Sequence, residues 1–325
     1  MVARRASSPP VVAVVGTRYR DLEIEERALA RFKPQWSVGW GGEQPELIEL
    51  CRDAEVVLAG SRPRFTADVM QELRACKAIV RYGVGVDSVD LTAAKSLGIR
   101  VANVPDYCAE EVSDQALALA LALLRKLKQA DTMVREGRWE LGPLRPMRAF
   151  REMTFGIFGL GRIGRTLARK ARGIGFRTVG FDPAVSHAQA ARWRIALLSE
   201  PDMLEQCDVL SLHMPLVGAT RHFIGTERIA RMKRGAVVVN TARGGLLDEA
   251  AVAEALRSGQ LGGVGCDVLE QEPPGPGNPL VGLPNALVSP HTGWYSESSE
   301  VRMRELASAE AARALRGFPL RQPVV

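Results

Sequence analysis

The chain has 325 residues, room for two domains of ordinary size. Its content, 46% hydrophobic and 25% charged, is that of a globular protein in water, and its longest purely apolar run, residues 116–124, is far too short for a membrane span. The net charge of +6 is spread among 37 acidic residues, with no basic run beyond short groups such as Arg231-Met232-Lys233-Arg234, so no nucleic-acid partner is expected.

Residues 1–10 carry Arg4 and Arg5 but no apolar stretch, a pattern that excludes a signal peptide. Five cysteines (Cys51, Cys76, Cys108, Cys207, Cys266) are scattered and never form a CxxC pair. They read as free thiols of a reducing cytoplasm, and no metal site is expected.

The first element is the β-branched run Val11–Val15, a buried parallel strand. Helical and strand-like segments then alternate: helix 43–54, strand 55–59, helix 66–75, strand 77–81, helix 91–97 ended by Gly98, and strand 99–104. This rhythm is a first α/β unit. It contains a glycine loop, Arg81-Tyr82-Gly83-Val84-Gly85-Val86-Asp87, at a strand's carboxyl end, where open α/β sheets bind ligands. Residues 110–133 follow, with Glu110, Glu111 and Asp114 before an Ala/Leu run and Arg125, Lys126 and Lys128 after it. Acid first and base last fit a helix dipole, so one long helix is predicted, joining the two units and able to serve as a hinge or a subunit contact.

Residues 155–158 then lead into Gly159, Gly161 and Gly164, spaced G-x-G-x-x-G, before a helical pattern with Ile163, Leu167, Ala168, Ala171 and Ile174 on one face. Strand, glycine turn and helix in that order form the dinucleotide fingerprint, whose helix N-terminus faces a pyrophosphate. A second strand, 177–181, ends in Asp182, a carboxylate suited to the ribose hydroxyls of NAD and repelling the extra phosphate of NADP. Further strands are expected at 209–212, 236–240, 263–267 and 286–289. An irregular Pro/Gly loop spans 270–284. A last helix, 300–316, is capped by one of Ser296, Ser298 or Ser299 and stopped by Gly317 and Pro319. The expected architecture is α/β: a Rossmann-type doubly wound parallel sheet, residues 105–291, inserted into a second, flavodoxin-like α/β substrate domain of residues 1–104 and 292–325.

Three segments place ionisable residues at strand ends: Asn240-Thr241-Ala242-Arg243-Gly244-Gly245, Asp267-Val268-Leu269-Glu270-Gln271-Glu272, and Ser289-Pro290-His291-Thr292-Gly293-Trp294. Parallel strands end on one rim, so Arg243, Glu272 and His291 can converge. Hydride transfer between nicotinamide and a 2-oxo acid needs such a trio. A cation polarises the carbonyl, a histidine delivers the proton, and a carboxylate orients that histidine and favours its charged form.

Fingerprint, NTARGG, DVxxxEPP and SPH, in this order, resemble the D-isomer-specific 2-hydroxyacid dehydrogenase family. The resemblance runs over residues 77–316. Within the family, residues 103–111 and 291–297 are similar to the C-terminal-binding-protein branch. The resemblance implies Arg243 as binder of substrate and carbonyl, His291 as proton donor and Glu272 as its partner. It implies that backbone N–H groups of Val84 and Gly85 hold the substrate carboxylate with Arg81 close by, and that Trp294 walls the substrate pocket. It also implies that Gly159, Gly161, Arg162, Ile163, Gly164, Asp182, Met214, Pro215, Thr220, Thr241, Ala242 and Asp267 surround NAD. Ser88 and Val217-Gly218 depart from commoner family residues at the margin of the site. Two functions fit: reversible reduction of a 2-oxo acid to a D-2-hydroxy acid by a homodimer, or an NAD(H)-sensing dimeric scaffold that binds partner peptides.

Overall fold

The computed structural model describes residues 8–17 and 19–325; the reading of the N-terminal stretch with Arg4 and Arg5 lies outside them. In chain order the first elements are β1 (Val11–Val15), α1 (Glu23–Leu29), β2 (Gln35–Gly39), α2 (Gln44–Cys51), β3 (Val56–Ala59), α3 (Ala67–Gln71), β4 (Ala78–Arg81), α4 (Leu91–Ser96) and β5 (Arg100–Ala102). The chain continues through α5 (Ala109–Leu124), α6 (Leu127–Arg135), β6 (Thr154–Phe158), α7 (Arg162–Gly173), β7 (Arg177–Phe181), α8 (His187–Arg192), β8 (Ala196–Leu197), α9 (Glu200–Gln206) and β9 (Val209–Leu212). It ends with α10 (Thr226–Arg231), β10 (Ala236–Asn240), α11 (Glu249–Arg257), β11 (Leu261–Cys266), β12 (Ala286–Val288) and α12 (Glu297–Leu315). Two compact units result, one holding the described residues to Cys108 together with Ser296–Val325, the other Ala109–Tyr295. The chain thus crosses between them after 108 and 295, where the sequence suggests 104 and 291.

The first unit is a five-stranded parallel sheet of order β2-β1-β3-β4-β5, the flavodoxin-like winding. Every residue of β3 and β4 is buried, which is why they read as continuous apolar runs. The edge strand β2 is half-exposed and lacks any clean period of two, and the sequence reading passes over it.

The inserted unit is a seven-stranded parallel sheet of order β12-β11-β10-β9-β6-β7-β8. Its winding reverses between β6 and β9, the topological switch of a Rossmann sheet. Both faces are covered. In β10, Ala236 and Val238 join one apolar cluster while Val237 and Val239 join the other. α7 buries Gly164, Leu167, Ala168 and Ala171; of the face read from the sequence, Ile163 is half-buried, and Ile174, which follows the last helical residue, is exposed. Ser296 caps α12: its hydroxyl accepts from the Ser299 N–H, and the Ser299 hydroxyl answers the Ser296 N–H.

One expectation needs correction. Residues 110–133 form two helices, because Lys126 takes a left-handed backbone (φ 53°) between α5 and α6. No glycine or proline announces the break. Side chains reaching remote carbonyls accompany it: Lys126 Nζ donates to Arg145 O, and Lys128 Nζ to Leu283 O and Ala286 O. The Ala/Leu face of α5 is largely covered within its own unit, by α7, β10 and β11. The apolar surplus lies further on, at Leu127, Val134, Leu141 and Trp139, the last 88% exposed.

Among the described residues no helix is long and apolar enough to cross a membrane.

Candidate active site

Strand register builds the site of the inserted unit. Phe158 pairs with Phe181, so the next residues, Gly159 and Asp182, stand level at the rim. The Asp182 carboxylate accepts the Leu160 N–H at 2.8 Å and the Ala184 N–H at 2.9 Å. Gly159 has φ +91°, and a β-carbon on it would meet His213 O at 2.6 Å and Met214 N at 2.9 Å. The loop after β9 therefore seats Met214 against the fingerprint. A β-carbon on Gly164 would stand 2.0 Å from Gly159 O, so helix and turn are in contact there, whereas one on Gly161 would point into open space. Gly161 caps α7 without a side-chain hydrogen bond. That combination leaves a helix N-terminus with a smooth approach, as a pyrophosphate requires.

A second observation fits a dinucleotide. The Thr241 hydroxyl oxygen is buried and has no hydrogen-bond partner among the described residues. A buried hydroxyl without a partner is costly unless a ligand completes it. Thr220, by contrast, has spent its hydroxyl inside its own loop: it donates to Pro215 O at 2.7 Å and accepts the Val217 N–H at 2.8 Å.

His213 follows β9 with its Nε2 2.8 Å from the Ser211 hydroxyl. Burial pushes its pKa from 6.5 down to about 4, so it is neutral in ordinary buffers. Burial likewise pushes the Cys207 thiol up to about 12 and raises that of Cys266, leaving both unreactive.

The same rim carries the ionisable trio. Asn240 pairs with Cys266, and Cys266 with Val288, which brings Thr241, Asp267 and Ser289 level. The Ser289 hydroxyl donates to Asp267 Oδ1 at 2.6 Å. The same carboxylate accepts the N–H groups of Thr292 (3.0 Å) and Gly293 (2.7 Å). The turn around His291 is thus drawn onto one buried acid. His291 itself is left-handed (φ 56°), and its Nδ1 lies 2.7 Å from Glu272 Oε2, while Glu272 Oε1 accepts the Leu269 N–H. Trp294, half-buried, stands edge-on to Tyr295 at 5.5 Å.

Arg243 follows a turn braced by the fully buried Asn240, whose side chain donates to Arg243 O and accepts the Ala242 N–H. The Arg243 guanidinium donates to Ala242 O. Gly244 brings this turn against residues 269 and 270 of the Glu272 loop. Arg243, Glu272 and His291 therefore rise from three adjoining loops of one sheet.

Residues 117–293, over half of the chain, match the family model described as D-isomer specific 2-hydroxyacid dehydrogenase, NAD binding domain. The chain belongs to that family. It is 34% identical over 303 residues to a glyoxylate reductase of Korarchaeum cryptofilum, covering 91% of each chain. It is 36% identical over 281 residues to a D-3-phosphoglycerate dehydrogenase of Methanocaldococcus jannaschii, covering 86% of this chain and 53% of that one. The chain thus spans about half the length of such phosphoglycerate relatives. Among solved structures, a glyoxylate reductase from Paecilomyes thermophila superposes with a TM-score of 0.88 at 29% identity, covering 98% of this chain and 99% of that one.

The first unit carries the loop after β4. Val80 pairs with Ala102, so Asn103 stands level with Arg81. The Asn103 side chain donates to Val84 O at 2.6 Å, and Val104 N–H donates to Gly83 O at 3.0 Å. The buried Arg81 donates to Tyr82 O. The N–H groups of Val84 and Gly85 donate to nothing among the described residues.

Three supports escape the sequence reading. Asn240, Ser289 and Gln115, whose Nε2 donates to Ser289 Oγ at 2.9 Å, brace the turns that carry Arg243 and His291. The serine of the SPH motif and the asparagine opening NTARGG are their only signals in the sequence.

Proposed function

We propose that the protein is an NAD-dependent dehydrogenase that reversibly reduces a 2-oxo acid to the D-2-hydroxy acid. The observation that carries this reading is the 2.7 Å pair of His291 Nδ1 and Glu272 Oε2. An imidazole tied at one nitrogen to a carboxylate presents the other, in a fixed direction, as proton donor. Bound at the fingerprint, NADH would supply hydride chemistry for the carbonyl carbon. His291 then gives its proton to the forming hydroxyl oxygen, and Arg243 polarises that carbonyl. Gly161, Arg162 and Ile163 take the pyrophosphate, on a turn that Gly159 bends and Gly164 packs against the helix. Met214, Pro215, Thr220, Thr241, Ala242 and Asp267 line the remainder of the cofactor, and Asp182 accepts the ribose hydroxyls. A carboxylate has about four acceptor sites, so its two backbone bonds leave room for the ribose.

The unspent N–H groups of Val84 and Gly85 support a role in holding the substrate carboxylate, with Arg81 beside them. Trp294 is the pocket wall, and an indole favours apolar or thioether side chains at about 0.8 kcal/mol per buried methylene. The exposed Leu127, Val134, Trp139 and Leu141 support a homodimer. Free cysteines throughout the described residues support a cytoplasmic setting.

The test is a panel of 2-oxo acids followed by NADH absorbance, with the hydroxy acid resolved by chiral chromatography. A 4-methylthio or branched-chain 2-oxo acid should outrun oxaloacetate, and Trp294→Ala should narrow that gap. Failure of every 2-oxo acid to consume NADH, or an L product, overturns the proposal.

A further inference from the structure

The first unit holds a polar cluster that the proposed chemistry does not use. Glu25 of α1 has no exposed surface, although it carries a carboxylate. Arg304 of α12, also buried, donates to it through Nε (3.0 Å) and Nη2 (2.7 Å). The Tyr82 hydroxyl donates to Glu25 Oε1 at 2.9 Å. Arg304 further donates to Asp21 O at 2.8 Å and lies over the Tyr19 ring at 4.4 Å, and that ring stands edge-on to Tyr82 at 5.3 Å. Three of the chain's four tyrosines, Tyr19, Tyr82 and Tyr107, lie within the field of Arg81 or directly beside it.

A buried ion pair is weak support for stability, since apolar residues of the same volume often serve as well. Its place in the fold suggests another use. Tyr82 is the residue between Arg81 and Gly83, at the carboxyl end of β4. The three carbonyls that begin there are all tied inward: Tyr82 O by the Arg81 guanidinium, Gly83 O by Val104 N–H, and Val84 O by Asn103. With the carbonyls held, the N–H groups of Val84 and Gly85 are left to a ligand. The Tyr82 hydroxyl anchors this loop to α1 through Glu25. Burial and the nearby Glu25 raise its pKa well above the usual tyrosine value, so it stays a neutral donor.

We propose that Glu25, Arg304 and Tyr82 form a positioning network that fixes the loop Gly83–Gly85 in the shape that receives a substrate carboxylate. The proposal rests on the reading of Val84 and Gly85 given above. None of the three residues touches substrate. Glu25 anchors the Tyr82 hydroxyl, Arg304 holds the Glu25 carboxylate in place, and the tyrosine backbone sets where the following amides point.

The experiment measures binding of oxamate, an unreactive 2-oxo acid mimic, to the NADH complex by quenching of nicotinamide fluorescence, beside steady-state rates for the best 2-oxo acid. Tyr82→Phe keeps the ring and removes one hydrogen bond to a charged group. It should raise both the oxamate Kd and the 2-oxo acid KM about tenfold, with kcat within about twofold and NADH affinity unchanged. Glu25→Gln should do the same, and the double variant should be no weaker than Glu25→Gln alone, because both act through one anchor. A purely structural cluster would lower Tm and leave oxamate binding intact; that result in either variant overturns the proposal. If the parent binds oxamate, the variants bind it more weakly, and no 2-oxo acid is reduced, the network stands and the dehydrogenase reading falls. If the parent binds no oxamate, the loop is no carboxylate site and the network has nothing to position.

Discussion

Gly244 lies against Leu269 so closely that a β-carbon on the glycine would stand 1.9 Å from the leucine carbonyl carbon. The turn that presents Arg243 and the loop that leads to Glu272 are therefore dovetailed, and neither can shift alone. Gly244→Ala should cost about a hundredfold in kcat/KM, the usual effect of displacing reacting groups by an ångström. NADH affinity, measured by fluorescence titration, should fall far less. An alanine variant with parental turnover would mean that the two loops are independent.

His291 should be tested with asparagine as well as alanine. Its φ of 56° lies in a region that asparagine tolerates and alanine does not. Both variants should lose at least about two orders of magnitude in kcat. His291→Asn should also melt close to the parent. Glu272→Gln removes the charge 2.7 Å from the imidazole, so the pH profile for reduction should move to lower pH. Superimposable profiles for Glu272→Gln and parent would assign that glutamate to its loop alone.

Cofactor choice follows from Asp182, level with the fingerprint through the pairing of Phe158 with Phe181. NADH should be preferred over NADPH, and Asp182→Ala should narrow the ratio. The alanine should also loosen the turn, since the Leu160 and Ala184 N–H groups lose their acceptor. Equal kcat/KM for the two cofactors in the parent would contradict the assignment.

His213 links stability to acid. Its folded pKa of about 4 lies below the ordinary 6.5, so the unfolded chain takes up this proton first. The stabilisation is fully present above pH 6.5 and is lost as pH falls toward 4, by at most about 3 kcal/mol. Thermal melts across this window should show a steeper fall for the parent than for His213→Gln. Parallel curves would show that the ring is protonated without penalty.

The dimer proposal predicts two-fold association by sedimentation at micromolar concentration with NAD present. Trp139, 88% exposed, is the place to break it. Trp139→Arg should shift the boundary to monomer while leaving the melting of the inserted unit intact. A parent that sediments as monomer ends the proposal.

Much of the molecule is legible in its sequence, for a physical reason. The glycine fingerprint and the strand that ends in Asp182 are local devices, in which a few neighbouring residues fix their own backbone. The buried strands show themselves because both faces of a parallel sheet need apolar residues. What stays hidden is set by partners far away. The break at Lys126 depends on the carbonyls of residues 145, 283 and 286. The strut from Gln115 through Ser289 to Asp267 exists only because the pairing of β11 with β12 brings Asp267 and Ser289 level beside α5. Edge strand β2 earns its place by pairing with β1 alone.

Because the first unit is interrupted, it has a biosynthetic history of its own. Glu25 and Arg304 are 279 residues apart, and the whole inserted unit is translated between them. At ordinary elongation speeds the carboxylate waits roughly 15 seconds to a minute for its guanidinium. Over that interval the Rossmann sheet can close, while the β-sheet carrying Tyr82 still lacks α12. A nascent chain can thus complete its Rossmann sheet before α12 exists, so ribosomal pausing before α12 would prolong a state in which the Glu25 carboxylate lacks the guanidinium that buries it.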